Sequence, residues 1–316
     1  MQPRRLAIID IGTLKVKTLI AHLDKENNIV QDYTSNTLTC FGCHLDKNKG
    51  IVKEEYLQKT IAELQRVKKV LEKYRVSKYR VISTHAMRRA KNKDEIIAGI
   101  KKETGFEVEN ISQEQEAELF YQAVMAHARI KQTKQQEFVL VDMGGGSVQL
   151  LVGNPRELKF KYLLQCGAQF LHDNFLEDPH SPSGFTRQED LDRMKEIILK
   201  ELIKVDRSRG LPIIYGSSNI IDLMKAINLP LESDISFNLH PYKTYAEHLQ
   251  KFIDKVLPLS YAEREQRFPF QYGYMWGIDK AFLNIVTFAD FFHSPYIIPS
   301  NANIAQGLIH SITGCN

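Results

Sequence analysis

The sequence predicts two related α/β domains built on one plan, and three observations predict it. The chain has 316 residues, too long for one average domain and suited to about two. Short apolar, β-rich runs alternate with longer stretches of helical spacing. The stretch around Asp10 also returns around Asp142. "LAIID" and "VLVD" each end on aspartate, meet a glycine turn at Gly12 or Gly144, and continue into a second apolar strand, "VKTLIAHL" or "VQLLVGN". The spacing is 132 residues and occurs twice, which excludes a solenoid.

The elements follow in order. Leu6–Asp10 and Val16–Leu23 read as strands, with a hairpin turn at Asn27–Asn28 leading to Ile29–Thr34 and a further strand at Thr37–Cys40. Leu57, Ile61, Leu64, Val67, Leu71 and Tyr74 recur three and four apart and predict a helix. Tyr79–Ser83 is a strand, Asp94–Glu103 a helix stopped by Gly105, and "FEVENIS" a strand. Ser112 and Gln115 form a capping box for a helix running to about Ala128. After a polar, basic loop, Phe138 opens the second half. Thr186 and Glu189 form another capping signature before a helix carrying Leu191, Met194, Ile198, Leu202 and Val205. "LPIIYGSSNIIDLM" reads as strand, turn and helix start. Helices follow near Tyr245–Val256 and Tyr274–Phe291, and a last one begins near Ala302.

Composition narrows the class. Apolar residues at 43% and charged residues at 25% fit an ordinary globular protein. A formal charge of +4 and a pI near 8.7 are too weakly basic to argue for nucleic acid, and they suit an anionic substrate. Asp10 breaks the N-terminal apolar run, so a signal peptide is not expected. No run approaches the ~20 residues that span a bilayer. The expectation is a cytoplasmic protein with no membrane partner. "CFGCH" matches a redox C-x-x-C and a haem-attachment C-x-x-C-H, but nothing directs export. A zinc site would need a second ligand pair, and Cys166 and Cys315 stand apart, so buried thiols are the plainer reading.

The glycines carry the chemistry. Glycine lets backbone amides turn toward a bound group with no Cβ in the way, and several such amides make an anion nest. Gly144, Gly145 and Gly146 follow Asp142, and Ser147 adds a hydroxyl. A hairpin turn alone needs only one or two glycines. "DIGTLK" is the matching loop, with Gly12, Thr13 and Lys15. Two hairpins of this kind face each other across an interdomain cleft in the actin-like (ribonuclease H-like, sugar kinase/actin superfamily) fold. There is no G-x-x-x-x-G-K-[ST] and no H-E-x-x-H.

"AIIDIGT", "STHAMRRAKN", "GFEVENISQEQEAEL" and "VLVDMGGGSVQLLVG", with weaker echoes in "LQCGAQFL", "IIYGSSN" and "NIAQGLI", resemble the Ppx/GppA phosphatases. These are exopolyphosphatases and guanosine pentaphosphate phosphohydrolases. The resemblance runs almost end to end and suits the short, two-domain form. It implies a first domain over 1–120, completed by a returning helix at 302–316, and a second over 121–301. It implies hydrolysis of a terminal phosphoanhydride by in-line water attack, with inorganic polyphosphate or a (p)ppGpp-type nucleotide as substrate and Mg²⁺ as cofactor. Glu116 takes the place of the catalytic glutamate and Arg88 that of a phosphate-binding arginine. Asp142 joins them as a catalytic residue, and Asp10 and Asp142 are the implied metal ligands. Gly12, Thr13, Lys15 and Gly144–Ser147 are the implied phosphate contacts. Arg89 shares the formal credentials of Arg88. His85 stands where the family has a small residue and reads as structural. Lys17, Lys91 and Lys93 add to a basic rim. Whether the chain is a monomer or a homodimer stays open.

The departures fall on polar positions. Leu14 and Lys15 replace neutral polar residues of the first loop. Gln149 replaces a glutamate, and an amide cannot accept a proton at neutral pH. Gly216-Ser217-Ser218 and Ala305-Gln306-Gly307 stand for Gly-Gly-Thr and Arg-Glu-Gly. A catalytically weakened polyphosphate- or nucleotide-binding homologue is therefore the second reading, and a kinase of the same superfamily the third.

Overall fold

The computed structural model describes residues 4–26, 29–126, 136–176, 181–206, 210–217, 219–233, 241–271 and 273–313. The Asn27–Asn28 turn, Ala128, Ser218 and Cys315 lie outside them. The chain divides into two compact units, Met1–Leu119 with Ile304–Asn316, and Phe120–Asn303.

The first unit is built on β1 (Leu6–Ile11), β2 (Lys15–Leu23), β3 (Ile29–Leu38), α1 (Glu54–Lys73), β4 (Lys78–Ser83), α2 (His85–Arg89), α3 (Lys93–Thr104), β5 (Val108–Asn110) and the start of α4 (Gln113–Met125). Its sheet has the order β3-β2-β1-β4-β5, antiparallel from β3 to β1 and parallel from β1 to β5. Ala7 to Ile11 are buried on both faces, Asp10 among them, as befits a central strand with the apolar run Leu6–Ile9. One core joins Ile9, Val16 and Ile20 to Ile61, Leu64, Val67 and Leu71 of α1, and to Ile96 and Ile100 of α3. The predicted stripe of α1 is thus its buried face. Gly105 ends α3 at φ 77°, the left-handed cap a glycine allows. No separate Thr37–Cys40 strand forms: Thr37 and Leu38 end a continuous β3, and Thr39 and Cys40 lie beyond it.

The second unit repeats the plan with β6 (Phe138–Met143), β7 (Val148–Gly153), β8 (Leu158–Leu164), α5 (Ala168–Phe175), α6 (Gln188–Leu202), β9 (Ile213–Gly216), α7 (Ile220–Ala226), β10 (Glu232–Ser233), β11 (Tyr242–Lys243), α8 (Ala246–Val256), α9 (Tyr261–Arg267), α10 (Ile278–Phe292) and β12 (Ile297–Ser300). Its five-stranded sheet runs β8-β7-β6-β9-β12, the same order as the first when each strand is matched to its repeat. Val139, Val141, Leu150 and Val152 pack with Leu191, Met194 and Ile198 of α6 and Phe282, Ile285 and Phe288 of α10. α11 (Ile304–Thr313) belongs to the first unit, where it packs on β1. Gly307 lets it do so closely beside α4, since a Cβ there would sit 1.9 Å from the Leu119 carbonyl oxygen.

The Thr186–Glu189 capping box does not form. The helix starts at Gln188, and the Asp190 carboxylate accepts from the Arg187 amide at 3.0 Å. Thr186 is taken by the core. Its hydroxyl accepts from Lys280 Nζ at 2.6 Å, in a fully buried cluster with Asp279 and Arg264. α10 begins at Ile278, after a turn, rather than near Tyr274.

Candidate active site

Both hairpins are set by backbone register. In the first unit Asp10 pairs with Lys17 across β1 and β2, and in the second Asp142 pairs with Gln149 across β6 and β7. Gly12 N donates to Lys15 O and Gly144 N to Ser147 O, each at 3.0 Å. The amides of Gly12 and Gly144 are therefore spent inside their own turns. The other turn amides, those of residues 13–14 and 145–147, are the candidates to make a nest.

Each loop is braced from behind by a glycine. Gly42 N donates to Thr13 O at 2.7 Å, and a Cβ on Gly42 would lie 2.8 Å from Thr13 Cγ2 and 2.5 Å from Ala86 Cβ. In the second unit Ala168, Gln169 and Phe170 at the start of α5 donate to the Gly144 and Gly145 carbonyls. A Cβ on the preceding Gly167 would lie 2.4 to 2.5 Å from the backbone of Gly145, Gly146 and Ser147. The carbonyls are tied down on one side, which fixes which way the peptide planes can face.

The first unit gathers charge. Arg88, on the short α2, forms an ion pair with Glu116 in the first turn of α4. Its Nη1 also donates to Ile111 O at 2.8 Å. The predicted capping box holds that turn: Gln115 N donates to Ser112 Oγ at 3.1 Å, and Ser112 N to Gln115 Oε1 at 2.8 Å. Glu116 is only 5% exposed. Arg89 turns away and bonds Asp46, so the two adjacent arginines have different partners. Asp10 is buried at 4% exposure, with Lys17 Nζ 3.8 Å from its Oδ2. Burial pushes its carboxyl above the usual range, against the pull of Lys17 and Arg88. Two buried atoms here have no hydrogen-bond partner: Asp10 Oδ1, an acceptor, and Arg88 Nη2, a donor. Burial, helped by Arg88 and Arg89, lowers His85 to about 4, so it stays neutral near pH 7. Thr13 and Lys15 are both buried in the same unit.

Around its aspartate the second unit gathers neutral groups. Asp142 is half-buried, Ser147 and Gln149 are buried, and Gln149 Nε2 donates to Ser147 Oγ at 3.4 Å. Gly216 runs beside Asp142 in the parallel pair, with the Phe120 ring where its Cβ would be, at 2.2 Å. The structure thus brings Asp10, Arg88 and Glu116 into one unit with Thr13 and Lys15, and Asp142 with Gly144–Ser147 into the other. Lys17 is not merely rim charge: it stands across the ladder from Asp10. Its place opposite Asp10 was readable from the hairpin register, seven residues on, as Gln149 is from Asp142. The bracing roles of Gly42 and Gly167 carried no local signal.

Residues 37–312 match the Ppx/GppA phosphatase family. A bifunctional 3-dehydroquinate synthase/phosphatase of Fusobacterium nucleatum is 29% identical over 175 residues, which is 54% of this chain and 26% of that protein. The chain thus spans about a quarter of that relative's length. The crystal structure of the Aquifex aeolicus member of the Ppx/GppA protein family superposes with a TM-score of 0.74 at 25% identity, covering 98% of this chain and 97% of that one. An exopolyphosphatase of Cytophaga hutchinsonii shares the fold, with a TM-score of 0.81 at 21% identity over 98% of each chain.

Proposed function

The chain belongs to the Ppx/GppA phosphatase family, with its actin-like α/β fold, and we propose that it hydrolyses the terminal phosphoanhydride bond of inorganic polyphosphate, releasing orthophosphate. The observation that carries this reading is the Asp10–Arg88–Glu116 group. A buried guanidinium NH lacks an acceptor and a buried carboxylate oxygen lacks a donor, beside an ion-paired glutamate. A desolvated donor left unmatched costs about 1–3 kcal/mol, and an incoming phosphate oxygen would relieve that cost.

The geometry supports the following roles. Arg88 presents Nη2 to a phosphate oxygen while Nη1 holds Glu116 and the Ile111 carbonyl. That grip orients the Glu116 carboxylate, which takes a proton from the attacking water. Within the first unit the amides of residues 13–14 are the donors for phosphate oxygens, with Lys15 and Lys17 offsetting their charge; within the second the amides of residues 145–147 and the Ser147 hydroxyl are the corresponding donors.

Among the described residues no three His, Cys, Asp or Glu side chains form a metal cage. Mg²⁺ is characteristically held by one or two carboxylates together with substrate phosphates, and Asp10 Oδ1, buried and without a donor, fits that mode. Asp10 would hold the ion, with Asp142 its counterpart in the second unit. When bound, Mg²⁺ supplies neutralisation of phosphate charge.

One observation favours a second reading. The buried Gln149 amide bonds Ser147 where a carboxylate would accept a proton or hold a metal-bound water. This suits a homologue that binds the polyanion and turns it over weakly. Phosphate release from polyphosphate and from guanosine pentaphosphate, with Mg²⁺, tests both. Glu116→Gln is expected to lower release by ~10²–10⁴-fold. Equal rates in the variant would remove Glu116 from its role. Tight binding with no release by the wild type would establish the second reading, and preference for the nucleotide would reassign the substrate.

A further inference from the structure

The C-x-x-C segment reads as a pair of buried thiols in the sequence, but it lies directly behind the first loop. Thr39 N and Cys40 N donate to Leu14 O at 3.1 and 2.9 Å, and Gly42 N to Thr13 O at 2.7 Å. Cys43 N closes the turn on Cys40 O at 2.9 Å. A turn of that kind holds its end Cα atoms within about 7 Å, which reaches the range a disulfide spans. Both cysteines are present as thiols. Cys40 is half-exposed at φ 55°, and Cys43 is buried.

We propose that Cys40 and Cys43 form a redox-modifiable site whose oxidation to an intra-turn disulfide distorts the first loop. The oxidant is a low-molecular-weight disulfide, RSSR. The sulfur of the half-exposed Cys40 attacks it, forming Cys40–S–SR and releasing one RSH. The Cys43 sulfur then attacks Cys40 Sγ, forming the protein disulfide and releasing a second RSH. The two thiol protons leave on the two RSH molecules, so two electrons pass from the protein to RSSR.

The coupling follows from the packing. Drawing the two sulfurs together pulls on a turn whose middle residue, Gly42, has no slack. A Cβ there already meets Thr13 and Ala86 below 3 Å. Strain in the turn must pass to the Thr13 and Leu14 peptides through the three hydrogen bonds. As a control on the phosphatase site, this proposal rests on the reading of that site given above.

The test incubates the full chain with oxidised glutathione. Peptide mass analysis is expected to show a Cys40–Cys43 bond, hydrogen exchange to show altered protection over residues 6–23, and both to revert with dithiothreitol. Phosphate release should fall by on the order of tenfold, within the range that small misplacements of catalytic groups cost. Cys40→Ser, at a half-exposed position, should fold, hold its unoxidised rate and ignore the oxidant. Stable glutathione adducts without an internal bond, or an internal bond that leaves exchange unchanged, would overturn the proposal. If the chain released no phosphate at all, the functional reading would fail while the mass and exchange measurements still decided the switch.

Discussion

The two hairpins share strand order, cross-strand register and the same turn hydrogen bond, yet they carry opposite chemistry. In the first unit the aspartate faces a lysine, and an arginine and a glutamate stand beside it. In the second the aspartate faces a glutamine, and the loop offers glycine amides and a serine. Backbone geometry has been kept where strands and turns dictate it, and side-chain chemistry has divided. On the proposed reading, the charged half would move the proton and match a phosphate, and the other half would hold one.

The bracing glycines test how far that equivalence goes. Gly167→Ala should have the largest effect, because its Cβ would meet backbone atoms on three residues, which cannot step aside. Overpacking of this kind costs about 1–3 kcal/mol and more where backbone is the obstacle. Gly42→Ala meets two methyl-bearing side chains and should cost less. Thermal unfolding of both variants orders them. A Gly42 variant less stable than the Gly167 variant would mean that the second loop is the more adjustable one.

Restoring the missing carboxylate sharpens the contrast in charge. Gln149→Glu puts a buried acid opposite Asp142, and like charges directly across a ladder repel. Without divalent metal the variant should lose about 1–3 kcal/mol, as an unmatched buried acid does. Added Mg²⁺ should return much of that loss and raise phosphate release. A variant indifferent to Mg²⁺ in both melting temperature and rate would show that the second hairpin takes no part in holding metal.

Much of this contrast was legible in the residues themselves. An apolar strand, an aspartate and a glycine turn fix a hairpin locally, so both hairpins and their period could be read directly. The capping box at Ser112 was equally local. What could not be read depends on partners distant in sequence. Thr186 looked like a helix cap, but Lys280, 94 residues on, claims its hydroxyl. β12 was missed because Pro299 interrupts an apolar run, and an edge strand tolerates that. Arg88 and Arg89 are indistinguishable as sequence. Only the fold shows that one meets Glu116 and the other Asp46.

The smallest effect comes from the first aspartate. Burial raises the folded-state pKa of Asp10 above its ordinary value. The native state therefore binds a proton more readily than the unfolded chain does. Relative to a neutral side chain, stability is intact below the unfolded pKa and falls as pH rises through the folded one. Asp10→Asn removes that loss. In metal-free buffer the variant should be modestly more stable than wild type at neutral pH, and the gap should close in acid, near the ordinary carboxylate range. Melting temperature against pH checks it. The same variant should lose Mg²⁺-dependent phosphate release, so that stability rises as activity falls. A variant less stable than wild type at neutral pH would show that Lys17 and Arg88 gain more from the Asp10 charge than burial costs it. The first hairpin would then be a settled ion cluster rather than one held open for a ligand.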